Sequence, residues 1–256
     1  MKITDHARRF GGIERLYGAG SITRLGAAHV CVIGIGGVGS WAAEALARSG
    51  IGRLTLIDLD HVAESNINRQ VHALEGTLGQ AKVLAMRERI ALIHPDCRVE
   101  GIEEFISEDN VMKLLPPCDA VLDCIDQVKA KAALIAHCRR GKLPLVTTGG
   151  AGGRLDPTRI RIDDLSRTTQ DALASKLRAR LRKEYGFSRD PKKKFGVPCV
   201  FSDEPIRRPP NQACDLDEAG LQGLSCAGYG SSVAVTAGFG FAAAAHCLAI
   251  LAHPAT

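Results

Sequence analysis

Apolar residues in this chain fall into short dense runs, separated by longer stretches in which they recur at helical spacing. Residues 30–35 and 54–57 are predominantly aliphatic or β-branched, and 120–122 resemble them, as expected for strands covered on both faces. The spacing predicts strands at 29–34, 53–58, 98–103, 120–124 and 145–148. It predicts helices at 38–49, 79–93, 109–115 and 127–140. Within 79–93, Val83, Met86, Ile90 and Ile93 form one stripe and Arg87 and Arg89 lie off it. Such alternation implies an α/β fold: a doubly wound, mainly parallel, Rossmann-like sheet with helices on both faces.

The pattern changes in the second half. Residues 159–163 alternate like a half-exposed strand, which predicts antiparallel strands added to the parallel sheet. A basic helix is predicted at about 169–184, followed by a turn-rich stretch at 186–198. Residues 202–223, with Pro205, Pro209 and Pro210, read as a loop. From 225 to 252 there is no Asp, Glu, Lys or Arg, long enough to span a bilayer on length alone. Gly228, Gly230, Ser231, Ser232, Gly238, Gly240 and His246 interrupt that segment. It reads as a glycine-rich entry and a buried helix at 232–251, without stable membrane insertion. Its small residues suit close packing against the sheet or a second subunit.

Composition narrows the picture modestly. A chain of 256 residues with 45% hydrophobic and 24% charged content fits one globular domain. The net charge of +5 permits acidic partners without demanding them. Nine cysteines show no C-x-x-C pair, so no four-cysteine structural zinc is expected. The first residues lack an apolar signal core, and a cytoplasmic protein with reduced thiols is expected.

The candidate chemistry lies where the apolar runs end. Gly34-x-Gly36-x-x-Gly39, with the additional Gly37, lets backbone amides approach a phosphate where a strand enters a helix. On its own this loop suits a dinucleotide equally well. Asp58 ends the second strand, where a carboxylate accepts hydrogen bonds from ribose hydroxyls; Asp60 belongs to the same edge or caps a turn. Asn66, Asn68, Arg69, Gln70 and Lys82 then supply amides and two cations. A nicotinamide enzyme has little use for these, whereas attack on the α-phosphate of ATP needs its charge compensated. After the fourth strand, Asp123 and Asp126 offer a carboxylate for a magnesium ion bridging the phosphates. Asp126 is the candidate ligand and Asp123 the loop-fixing residue, an assignment that spacing alone leaves open.

Taken in order, these motifs resemble the ubiquitin-activating-like adenylating enzyme superfamily. The resemblance rests on the glycine loop, Asp58-x-Asp60, Ser65-Asn66-Ile67-Asn68-Arg69-Gln70, Gly79-Gln80-Ala81-Lys82 and Asp123-Cys124-Ile125-Asp126. Within it the chain is most similar to the tRNA threonylcarbamoyladenosine dehydratases, through residues 9–18, 39–50, 131–135, 147–153 and 196–202. The resemblance implies an ATP-binding core at about 1–153 and a substrate-facing, dimer-forming part at about 154–256, within one domain. It implies adenylation of the threonyl carboxylate of threonylcarbamoyladenosine in tRNA, then ring closure with release of AMP. Arg69, Lys82 and Asp126 would serve catalysis, together with Arg9 or Arg15 reaching the triphosphate from the partner of a homodimer. The alternative is activation of the C-terminal glycine of a ubiquitin-like sulfur-carrier protein, and a sulfur-relay or carrier protein is a conceivable partner. The absent zinc pairs and the basic second half favour RNA.

That basic half holds Lys176, Arg178, Arg180, Arg182, Lys183, Arg189 and Lys192 to Lys194, with only Glu184 and Asp190 nearby. It reads either as a solvated face or as a docking surface for the phosphate backbone, with Arg178, Arg182 and Lys193 the candidate tRNA contacts. Cys199, Cys214 and Cys226 occupy positions where thioester-forming relatives place a nucleophile. Ring closure requires none, so they are read as packing or surface thiols.

Overall fold

The structure is a computed structural model that describes residues 5–207 and 229–253. Helices α1 (His6–Tyr17) and α2 (Ser21–Ala27) precede β1 (His29–Ile33), α3 (Gly39–Arg48), β2 (Arg53–Ile57) and α4 (Lys82–Ile93). The chain continues through β3 (Arg98–Ile102), a short α5 (Val111–Leu114), β4 (Ala120–Asp123), α6 (Val128–Arg140) and β5 (Leu145–Thr148). Then come β6 (Ile160–Asp164), α7 (Ala172–Glu184), β7 (Pro198–Ser202) and α8 (Val233–Ala252). Among the described residues the strands form one seven-stranded sheet in the order β3-β2-β1-β4-β5-β7-β6. All pairs are parallel except β6 with β7. After β3 the chain returns to the far side of β1, so a crevice opens between the carboxyl ends of β1 and β4, the usual ligand position in such sheets.

Both faces of the sheet are covered, and the side chains of β1 show it. Val30 and Val32 join the core beneath α3, α4 and α8, while Cys31 and Ile33 join the core beneath α6 and α7. This explains the continuous apolar run. The α8 helix has the length and apolarity of a membrane span, yet half of its most apolar window is buried within the fold. It packs along α3 because Gly240 carries no side chain: a Cβ there would stand 2.5 Å from the Val38 carbonyl oxygen. The expected buried helix is therefore the element that braces the glycine-loop helix from behind.

Several expectations need correction. The antiparallel addition expected in the second half is present as the β6–β7 pair, but a strand at 198–202 is not among the sequence expectations, since 186–198 reads as turns and the strand opens on Pro198. Burial on both sides, between β5 and β6, makes it a strand despite its brevity. Neither α1 nor α2 was anticipated. In α1 only Phe10 is buried, its ring meeting His94 edge-on at 4.7 Å, so little apolar periodicity marks the helix. The 109–115 helix shrinks to four residues. Of the loop at 202–223, residues 208–223 lie outside the described residues, as do Cys214 and Cys226.

Candidate active site

The cleft at the switch point encloses about 290 Å³ and draws its walls from the ends of β1, β2, β4 and β5. Gly34, Gly36 and Gly37 line it; Gly39 does not. Gly39 instead permits the turn itself, because a Cβ on it would fall 1.8 Å from the Gly34 carbonyl oxygen. Gly37 has a different reason: an added Cβ would press on Arg69 Cγ and Thr236 Cγ2, each 3.3 Å away. Two amides of the loop are engaged within the fold, Gly34 donating to the Ile57 carbonyl and Ile35 to Asp58 Oδ2 at 2.5 Å. That leaves the amides from Gly36 onward, at the start of α3, as the ones that could meet a phosphate, since helix geometry leaves such donors without intrahelical partners.

Asp58 also accepts from the Asp60 amide at 2.9 Å. Burial pushes its carboxyl up from the ordinary carboxylate value, against the pull of Lys82 and the two amide donors. Lys82, its side chain 7% exposed, donates to Asp60 Oδ2 at 2.7 Å. Nearby His72 is pushed down to about 4, by burial first and then by Lys82 and Arg89. It is neutral at pH 7, which leaves Lys82 as the buried cation of this corner. Asp60 is thus the partner that holds Lys82 at the cleft wall.

Arg69 lines the cleft and is steered by its neighbours: Nη1 donates to the Ser65 carbonyl at 2.6 Å and to Asn68 Oδ1 at 2.9 Å. Asn68 is not itself in the wall; it ties Arg69 to the Ser231 carbonyl ahead of α8. The Arg69 carbonyl accepts from Trp41 Nε1 at 3.0 Å. Asn66 and Gln70 are in the wall. Asn66 Oδ1 accepts from the Ala63 amide, and Gln70 Oε1 is buried without a hydrogen-bond partner among the described residues. An orphaned acceptor at a cleft wall is a place where a ligand donor belongs.

Asp126 lines the cleft, and its carboxylate has no hydrogen bond or ion pair among the described residues. Asp123, by contrast, is fully buried, paired with Lys131 Nζ at 2.9 Å and accepting from Thr147 Oγ1 at 2.6 Å. The two carboxylates thus differ in place: Asp126 lines the cleft, and Asp123 lies buried against Lys131 and Thr147. Sequence reasoning missed Phe105, Ile106, Leu173, Thr236 and the 148–151 segment of the wall. Only that last segment carried a signal, as part of the 147–153 run on which the family resemblance rests. Cys124 also lines the cleft, where burial pushes its thiol up to about 12. Cys199 is buried and its thiol likewise pushed up, consistent with packing.

Arg9 and Arg15 lie on α1 and do not line this chain's own cleft; Arg9 Nη1 caps α4 by donating to the Ile93 carbonyl at 2.5 Å. Two of the three candidate tRNA contacts prove to be engaged internally. Arg178 donates to the carbonyl and hydroxyl of Thr168, and Arg182 donates to the Ser188 carbonyl and sits 5.3 Å over the Phe195 ring. Lys193 is exposed, as are Lys176, Lys183, Arg189, Lys192, Lys194 and, at the end of α6, Arg139, Arg140 and Lys142. A Cβ on Gly196 would lie 3.0 Å from Arg139, so the end of α6 adjoins the segment that follows Lys194.

The ThiF family model matches residues 12–255. The chain is 51% identical over 247 residues to the tRNA threonylcarbamoyladenosine dehydratase of Escherichia coli K12, covering 94% of this chain and 92% of that protein. It is 51% identical over 243 residues to the Haemophilus influenzae protein of the same name, with the same coverage. The crystal structure of the E. coli protein in complex with ATP superposes with a TM-score of 0.86 at 49% identity, over 98% of this chain and 97% of that one. The molybdopterin-synthase adenylyltransferase of Salmonella typhimurium is 37% identical over 129 residues, only 50% of this chain and 51% of that protein. That relative bears on the carrier-protein alternative as a distant relation confined to half the chain. The glycine loop, the paired cations and the free carboxylate thus sit in a frame shared from end to end with one group of adenylating enzymes: the chain belongs to the ThiF family and, within it, to the tRNA threonylcarbamoyladenosine dehydratases.

Proposed function

We propose that this chain catalyses the ATP-dependent dehydration of threonylcarbamoyladenosine in tRNA. The carrying observation is the convergence of the Gly36-Gly37 amides, Arg69, Lys82 and the unpartnered Asp126 carboxylate on one cleft. A carboxylate is a poor electrophile. Its attack on the α-phosphate of ATP forms an acyl-adenylate and expels pyrophosphate. A nucleophile within the modification then attacks that carbonyl, loses its proton and displaces AMP, which leaves with one carboxylate oxygen. The net change to the nucleoside is loss of one water. The protein's part is positioning and charge compensation. Arg69 and Lys82 offset charge that builds on the triphosphate, and Phe105 and Ile106 supply an apolar wall for the base.

Magnesium fits this cleft, because an ion held largely by phosphate oxygens and water needs only one or two protein carboxylates. Asp58 and Asp60 are engaged with protein donors, which leaves Asp126 to hold it. Bound there, the ion would offset negative charge on the triphosphate. The test of the whole reading is release of AMP and pyrophosphate that requires modified tRNA. Release that proceeds equally without tRNA would reject it.

The surface proposed to meet tRNA is formed by the exposed cations of α6, α7 and 189–194. Reversing Lys192, Lys193 and Arg140 to Glu is expected to weaken tRNA binding sharply and flatten its salt dependence, since each neutralised phosphate releases counterions. Reversing Arg178 and Arg182 should chiefly disturb folding, because both hold protein carbonyls. Binding titrated across salt concentrations checks this, and equal slopes for wild type and the exposed-cation variant would refute it.

The outer face of α8 presents Val233 and Phe241, 42% and 47% exposed, beside Ala245 and Ala249. We read it as the face that pairs two copies, with an α1 arginine reaching the neighbour's nucleotide. Sedimentation should give a dimer, and Phe241→Glu should yield an inactive monomer. A fully active wild-type monomer would contradict this.

A further inference from the structure

We propose that Lys131 and Asp123, which do not line the cleft, are positioning residues that order the segment carrying Asp126 and so set the affinity of the site for a divalent ion. The second half of the proposal rests on the role given to Asp126 above. An ammonium group has three N–H donors. Lys131 Nζ, fully buried, finds three acceptors: Asp123 Oδ1 at 2.9 Å, the Asp123 carbonyl at 3.2 Å and the Ile125 carbonyl at 2.9 Å. Two of these are backbone oxygens of the strand end and loop that lead directly into Asp126. The other partners complete the clamp. Asp123 Oδ1 accepts from the Ile125 amide, Oδ2 accepts from Thr147, and the Asp123 carbonyl also accepts from Thr148 Oγ1. From the other side, Gly34 brings the glycine loop against the same segment: its Cβ, if present, would stand 2.9 Å from the Cys124 carbonyl oxygen.

Stability alone does not account for this arrangement. A buried ion pair is commonly no better for stability than well-packed apolar side chains of the same volume. An apolar pair at these positions would fill the space but leave the Ile125 carbonyl without its donor and the loop without its fixed direction. Here the ion pair holds the backbone on both sides of Cys124, while Asp126 and Gln127 remain free to face the cleft. Lys131 lies in the first turn of α6 and its own amide donates to the carbonyl of the cap residue Gln127, so the loop, its cap and its clamp are one unit.

The test uses the full chain and two readouts that do not depend on turnover. Manganese binding is measured by electron paramagnetic resonance in the presence of a non-hydrolysable ATP analogue. Amide hydrogen exchange at 124–127 is measured without nucleotide. Lys131→Met and Asp123→Asn should each weaken manganese binding by about tenfold or more, the usual effect of removing an outer support of a metal ligand. Both should speed exchange at 124–127, and the double variant should be no worse than either single one, because the pair acts as a unit. Asp123→Asn keeps the side-chain shape and serves if Lys131→Met does not fold. Wild-type manganese affinity and exchange in a folded variant would overturn the proposal. Asp126→Ala separates the two layers. If it leaves manganese affinity unchanged, the reading of Asp126 fails, while exchange at 124–127 still decides whether Lys131 orders the segment.

Discussion

Asp126→Ala is expected to abolish AMP formation while leaving the protein as stable as the wild type. The two halves of this result have separate causes. The Asp126 carboxylate lines the cleft and has no partner among the described residues, so its removal breaks nothing in the fold. Changes away from packing, caps and buried networks shift stability by no more than about 0.5 kcal/mol. In the proposed mechanism this carboxylate anchors the ion and triphosphate, so its loss removes charge compensation in the transition state, worth on the order of a thousandfold in rate. Asp123→Ala, three residues earlier, should do the reverse. It strands Lys131 as an unpaired buried charge, at a cost of about 3–5 kcal/mol. Thermal unfolding beside AMP release distinguishes the two variants, and a folded Asp126→Ala protein with near-normal AMP release removes that residue from the site.

Arg69→Ala and Lys82→Ala should each slow adenylation by a factor on the order of a hundred or more, measured at saturating ATP. Lys82 is the more informative of the pair. Its ion pair with Asp60 joins a side chain 7% exposed to one 55% exposed, so the carboxylate left behind is solvated and the fold loses little. A large rate effect then reflects charge at the phosphates and not misfolding. Arg69 is held by Ser65 and Asn68, which places its guanidinium before any ligand arrives. An Asn68→Ala variant should therefore reproduce part of the Arg69 effect, although Asn68 is not in the cleft wall. If both cation variants keep wild-type rates, the triphosphate argument is wrong.

Much of the cleft was legible because its residues follow strands that lie side by side in the sheet. Gly34, Asp58 and Asp123 each end an apolar run, and a parallel sheet brings such ends to one edge whatever the rest of the chain does. Lys82 was legible by its order in that series. Less visible were contacts made from far along the chain. The reason for Gly37 lies in Thr236, which α8 delivers to the same wall, and no local spacing announces that approach. The tethering of Arg178 and Arg182 was likewise hidden, since a run of cations looks the same whether its members face solvent or hold carbonyls. β7 escaped because a five-residue strand opening on proline carries almost no periodicity; its neighbours β5 and β6 define it.

The central claim is tested most directly on the substrate itself. tRNA carrying threonylcarbamoyladenosine is incubated with the protein, ATP and magnesium, digested to nucleosides and analysed by mass. The account predicts conversion of that nucleoside to a species one water lighter, with one AMP formed per nucleoside converted and none in the Asp126→Ala control. An unchanged nucleoside in a reaction that still consumes ATP, or conversion that proceeds without ATP, would contradict it.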